Sequence, residues 1–101
     1  MFWKENILNI LGSTILRTVS SCQFQLDGNQ WYYADITNRT QSDGKYVLTV
    51  EIPEAVNGII TGIQLFGAGS VIGQRDEYIV KKSGQILIIK LKFRVYEGGE
   101  S

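Results

Sequence analysis

The chain has 101 residues, a length that predicts a single domain over residues 1–101 with one hydrophobic core. Ten basic and ten acidic residues give a net charge of zero, which argues against nucleic acid or an anionic membrane as a partner. The single cysteine, Cys22, excludes an internal disulfide, and the absence of histidine removes the commonest general base.

The first predicted element is a short helix over residues 3–11. Large apolar side chains recur there at helical spacing and form one stripe: Trp3, Ile7, Ile10 and Leu11. Gly12 and Ser13 resemble a stop signal, although the stripe would continue if the helix extended to about Val19. The beginning of the chain matches neither a signal peptide nor a membrane span, which predicts synthesis and retention in the cytoplasm.

A first β-hairpin is predicted over residues 18–36. Apolar and polar side chains alternate from Thr18 to Leu26, as in a half-buried strand, and Asp27-Gly28-Asn29 supplies a turn. Residues 31–36 should then return antiparallel. Residues 37–45 are polar throughout, which predicts an exposed loop or a wide hairpin end.

The next elements are a strand over residues 46–52, which Pro53 ends, and a hairpin over residues 59–75. The hairpin sequence, IITGIQLFGAGSVIGQR, reverses at Gly67 and Gly69, where glycine accepts the positive φ of a tight turn. We expect residues 85–96 to form the strand that pairs with this hairpin.

The final strand has the clearest pattern in the chain. One face is apolar throughout, whereas the other is basic: Leu87, Ile89, Leu91, Phe93 and Val95 against Lys90, Lys92 and Arg94. Residues 97–101 are predicted to be a frayed tail. One short helix followed by about seven short strands predicts a mainly β fold, an antiparallel β-sandwich.

Residues that could support catalysis do not form a recognisable set. Zinc would need several cysteine or histidine ligands, and the acidic residues lack the spacing of a calcium loop. Asp76-Glu77 is the only adjacent acidic pair, and we interpret it as an exposed charged turn rather than a glycosidase pair. The sequence therefore predicts a protein that is not an enzyme and that uses no metal and no cofactor.

The aromatic cluster Trp31, Tyr32 and Tyr33 is the candidate interaction surface. On a strand, Trp31 and Tyr33 would point to one side of the sheet and Tyr32 to the other. Two interpretations remain open: core packing with one ring at a sheet edge, or a surface on which a sugar or a protein stacks.

Residues 46–95 contain a pattern of core-type residues that recurs in other small β-domains. A proline-ended strand, Ile52-Pro53-Glu54, precedes the residues that fit the pattern I-T-x-I-x-L-F: Ile60, Thr61, Ile63, Leu65 and Phe66. A small turn, an apolar strand that ends at Arg75, and the strand 87–95 follow. This order resembles the small β-domains of phage and prophage tail proteins of the tail fibre, baseplate and collar type. Gln64 stands where that family commonly has an acidic residue.

The resemblance implies a non-catalytic structural or assembly component of a phage or prophage tail or baseplate. Such a component would be made in the cytoplasm of the bacterial host and would end in the virion. Its partners would be other tail or baseplate proteins and further copies of itself, with no nucleic acid and no membrane. The alternative is a small carbohydrate-binding module that uses Trp31, Tyr32 and Tyr33 to bind a glycan.

Overall fold

The computed structural model describes residues 2–95, which form one helix and six strands. In chain order these are α1 (Glu5–Thr18), β1 (Val19–Leu26), β2 (Trp31–Ser42), β3 (Lys45–Ile52), β4 (Gly58–Gly67), β5 (Ser70–Lys81) and β6 (Leu87–Arg94). Every strand pair is antiparallel. The mainly β fold with one short helix is therefore confirmed.

The six strands belong to one sheet in the order β5-β4-β1-β2-β3-β6. The sequence predicts about seven strands in a β-sandwich, so the strand number and the arrangement differ from the prediction. The long strand β2 joins the two halves, because Trp31 to Ala34 pair with β1 and Asp35 to Ser42 pair with β3. The sheet curls until β4, β5 and β6 line one cavity, so it forms a nearly closed barrel whose edges are β5 and β6.

The core lies inside this curl. Its largest fully buried side chains come from alternate positions of β1, β3 and β4: Cys22, Phe24, Tyr46, Leu48, Val50, Ile52 and Ile60. Alternation places every second residue of a strand on the inner face. Burying each large apolar side chain is worth about 1.5–3 kcal/mol before the loss of conformational entropy is subtracted.

Strand β6 has the predicted faces but not the predicted partner. Ile89 is buried and Lys90, Lys92 and Arg94 are exposed, yet β6 pairs with β3 and not with the β4-β5 hairpin. The register explains the choice, because it aligns four apolar pairs across the inner face: Tyr46 with Phe93, Leu48 with Leu91, Val50 with Ile89 and Ile52 with Leu87. Tyr46 and Phe93 stack with their ring centroids 5.1 Å apart.

The polar stretch after Ile36 is the end of a hairpin, one of the two predicted alternatives, and most of it is strand rather than loop. Strand β2 continues to Ser42, and Arg39 to Ser42 pair in sequence with Leu48 to Lys45 of β3. A tight turn at Asp43-Gly44 follows, where both residues have positive φ. Backbone hydrogen bonds to β3 hold this segment in the sheet, and its polar side chains are exposed. The predicted frayed tail, residues 97–101, lies outside the described residues.

The helix runs to Thr18, so the longer alternative is correct and Gly12 is not a stop signal. A row of residues spaced four apart faces the sheet: Leu8, Gly12 and Leu16. Gly12 is needed because the ring of Tyr46 occupies the space that a Cβ atom would fill. The Tyr46 hydroxyl lies 3.2 Å from both the backbone carbonyl and the side-chain oxygen of Asn9, and Arg39 donates to the Leu16 carbonyl at 2.9 Å.

We predict that Gly12→Ala destabilises the protein although alanine is the better helix former. Alanine would gain about 1 kcal/mol from helix propensity. Its methyl group would overlap the Tyr46 ring, and overpacking of this kind costs about 1–3 kcal/mol or more. Thermal melting should therefore show a lower Tm for Gly12→Ala. The control is Gly73→Ala, whose Cβ would meet its nearest neighbour at an ordinary 3.6 Å. A Gly12→Ala protein more stable than wild type would contradict this packing.

Candidate interaction surfaces

The most extensive candidate surface lies on the outward side of α1 and includes one residue that precedes the helix. It is here called the helix stripe: Trp3 before the helix, and Ile7, Ile10, Leu11 and Ile15 on it. The centre of the four helical residues lies roughly 120° around the helix from the inward row of Leu8, Gly12 and Leu16. Ile10 is 56% exposed, and Leu11 and Ile15 are nearly as exposed. An apolar stripe on a surface helix ordinarily faces the core. In this protein Trp3, Ile10 and Leu11 of the predicted stripe are exposed and Ile7 is half-buried. The row of Leu8, Gly12 and Leu16 packs on the sheet instead.

Strand β5 extends this apolar surface beside the C-terminal half of α1. Ile72 lies next to Ile15, and together with Thr14 and Thr18 they line a groove of about 310 Å³. Gly67 makes the close approach of β4 to the helix end possible, because a Cβ there would overlap the Thr18 carbonyl oxygen. The helix stripe therefore ends in a shallow apolar recess. This recess could not be predicted from the sequence, since Ile72 is distant from α1 along the chain.

The three predicted aromatic residues occupy different environments. Trp31 is half-buried beside Gly62, where a Cβ atom would come within 3.0 Å of its ring. Tyr32 packs against Phe24 with the rings tilted and their centroids 5.8 Å apart, and its hydroxyl donates to the Gln30 side chain at 2.9 Å. Tyr33 is 70% exposed. The structure thus does not bring the three rings together into one platform.

Tyr33 lies at one end of a row of amide side chains across the sheet. The register places it next to Gln23 of β1, which is followed by Gln64 of β4 and Gln74 of β5. Gln64 donates to the side-chain oxygen of Gln23 at 2.9 Å. Planar amides beside an exposed ring can form hydrogen bonds to sugar hydroxyls. This row was missed in the sequence because its members are brought together only by strand pairing.

A third surface is basic and lies on the outer side of β3 and β6. Four exposed cations surround Val47 there: Lys45, Lys90, Lys92 and Arg94. No ion pair involves any of them within residues 2–95. Lysine side chains along an edge strand oppose pairing with the edge of another sheet. The cations therefore protect the β6 edge from edge-to-edge association.

The acidic pair identified in the sequence is divided between two environments. Glu77 accepts hydrogen bonds from Arg75, with the closest contact at 2.6 Å, whereas Asp76 is exposed. Within the described part of the chain, no three potential metal ligands among histidine, cysteine, aspartate and glutamate lie close together. Over the same residues, no helix has the length and apolar character needed to cross a membrane.

Cys22 lies on the inner face of β1 with none of its surface exposed. Burial removes water from the thiolate and raises the pKa of the Cys22 thiol from 9.0 to about 11. The folded protein should therefore resist alkylation at neutral pH and react fully once denatured. Rapid alkylation of the folded protein at neutral pH would contradict the burial.

The same thiol should make stability depend on pH. Because the thiol of the unfolded chain ionises at a lower pH, the free energy of unfolding should fall as the pH rises from 9 towards 11, and the thiol should have no effect below pH 9.

Comparisons with known proteins add no identity to these surfaces. No protein-family model, curated protein or solved structure matches the chain. The function of the protein is therefore inferred from the chemistry of the surfaces themselves and from the resemblance within residues 46–95.

Proposed function

We propose that the protein is a non-catalytic assembly component of a phage or prophage tail or baseplate, and that it acts through protein-protein contacts. The observation that carries this proposal is the helix stripe. A contiguous apolar patch of several hundred Å² on a soluble protein marks an interaction site, because leaving it in water costs about 25 cal/mol per Å². The tail or baseplate assignment rests on the resemblance across residues 46–95.

The composition of the helix stripe favours a protein partner. Branched aliphatic side chains and Trp3 make up the stripe, and isoleucine and leucine offer no hydrogen bonds to a polar ligand. Aromatic anchors surrounded by aliphatic side chains are typical of the buried centre of a protein interface. Other tail or baseplate proteins and further copies of this chain are the partners that the proposal includes, and the virion is the proposed final location.

The test of this function is purification of the tagged protein after co-expression with the products of its neighbouring genes. We expect a tail or baseplate protein to co-purify in a fixed ratio. Failure of every neighbouring product to bind, or neighbouring genes with no relation to a virion, would contradict the tail assignment.

A carbohydrate-binding module is the second candidate, and the amide row beside Tyr33 is the observation that favours it. Such a site would use Tyr33 as a stacking surface and Gln23, Gln64 and Gln74 as hydrogen-bonding groups. Glycan titration monitored by tryptophan fluorescence tests it, because Trp31 lies two residues before Tyr33 on β2 and therefore on the same face of the sheet. Saturable binding that Tyr33→Ala abolishes without a change in Tm would establish this function in place of the first.

A further inference from the structure

We propose that the helix stripe binds the helix stripe of a second copy of this chain, in an antiparallel arrangement about a two-fold axis. This inference rests on the proposed function, because it names the partner of the surface that carries that function. Three observations support it: the exposed area of the apolar patch around the helix stripe, the different character of its two ends, and the charges on the β6 edge.

The apolar area fits a two-fold dimer. The patch consists of the exposed members of the helix stripe together with Phe2 and Ile72. Its six large side chains are between 43% and 77% exposed: Phe2, Trp3, Ile10, Leu11, Ile15 and Ile72. Together they expose roughly 700 Å² per copy, so a dimer that covers all six would bury roughly 1,400 Å², within the range of about 1,200–2,000 Å² for stable interfaces. Complete coverage of the patch therefore gives an interface of the size that self-association requires.

The two ends of the patch differ in character. Phe2 and Trp3, whose rings pack edge to face at 4.8 Å, are exposed at the N-terminal end, whereas the groove beside Ile72 lies at the C-terminal end. An antiparallel pairing of two helices, each about 21 Å long, places the aromatic end of one copy against the groove of the other. The two-fold axis makes each contact occur twice, and the opposed helix dipoles attract.

The charges disfavour the β6 edge as the contact between copies. Lys90, Lys92 and Arg94 lie along the β6 edge and would repel the same residues of a second copy. The patch itself contains no charged side chain, and the chain has no net charge to keep copies apart. Pairing of the two patches would therefore bury none of the charged side chains of the helix within the patch itself.

The experiment is analytical ultracentrifugation of the full chain over a dilution series, with two matched variants. Ile10→Lys places a charge in the helix stripe, and Ile88→Lys places the same charge on β6 at an equally exposed position, 55% against 56%. We expect wild type and Ile88→Lys to sediment as dimers and Ile10→Lys as a monomer. Circular dichroism should show that both variants retain the wild-type fold.

The possible outcomes separate this inference from the proposed function. A wild-type protein that stays monomeric at every concentration overturns the dimer, while co-purification with neighbouring gene products still decides the tail assignment. A dimer that persists in Ile10→Lys, or that only Ile88→Lys disrupts, also overturns it, because the interface would then lie elsewhere.

Discussion

Val50→Asp should abolish folding, whereas Thr49→Asp on the same strand should leave the protein folded. Val50 is fully buried in β3, between Ile36 of β2 and Ile89 of β6. A carboxylate there would have no partner, and an unpaired buried charge costs several kcal/mol, comparable to the about 5–15 kcal/mol that stabilises a whole domain.

The control relies on the alternation of β3. Thr49 points to the opposite side of the sheet, where it is half-exposed beside Lys90, so an acidic side chain there can remain hydrated. Far-ultraviolet circular dichroism and thermal melting of the two variants provide the comparison. Equal stability of the variants would show that the inner face of β3 has been assigned incorrectly.

Phe24→Ala should lower the free energy of unfolding by about 3–5 kcal/mol, the usual cost of removing a large buried aromatic side chain. Phe24 is 1% exposed on the inner face of β1 and packs against Tyr32. The matched control is Tyr33→Ala, which removes an aromatic ring of similar size from an exposed position and should cost far less. Urea denaturation gives both values, and a similar loss in the two variants would contradict the position of the core.

Local periodicity predicted most of the elements but not how they are combined. Alternation correctly located the hairpin of β1 and β2, the strand β3 and the hairpin of β4 and β5, because each pattern depends on neighbouring residues. The partner of β6 depends on matching apolar rows across two strands distant in sequence. Periodicity within one strand contains no such information, so β6 was assigned to the wrong neighbour.

The helix shows a similar limit. Its period was visible in the sequence, but residues 7–16 carry two apolar rows, and only contact with the sheet determines which one is buried. Gly12 resembled a terminator because the ring of Tyr46, which requires a glycine at that position, is far away in the chain. The same ring fixes the inward row and thereby turns the helix stripe outward.

The candidate site was predictable only in part. Exposure of at least one ring in the cluster Trp31 to Tyr33 is confirmed by Tyr33, since alternation forces neighbours onto opposite faces. The groove at Ile72 and the glutamine row across three strands could not be predicted, because each depends on strand register. The expected absence of catalysis and the tail assignment remain predictions.

The central claim, that the helix stripe is an interface between two copies, is tested most directly by oxidative cross-linking. Ile10 lies near the middle of the stripe, so the two copies of Ile10→Cys would face each other across the two-fold axis, while buried Cys22 stays unreactive. We expect Ile10→Cys to form a disulfide-linked dimer under mild oxidation and Ile88→Cys to remain a single chain. Cross-linking of Ile88→Cys but not of Ile10→Cys would contradict the claim.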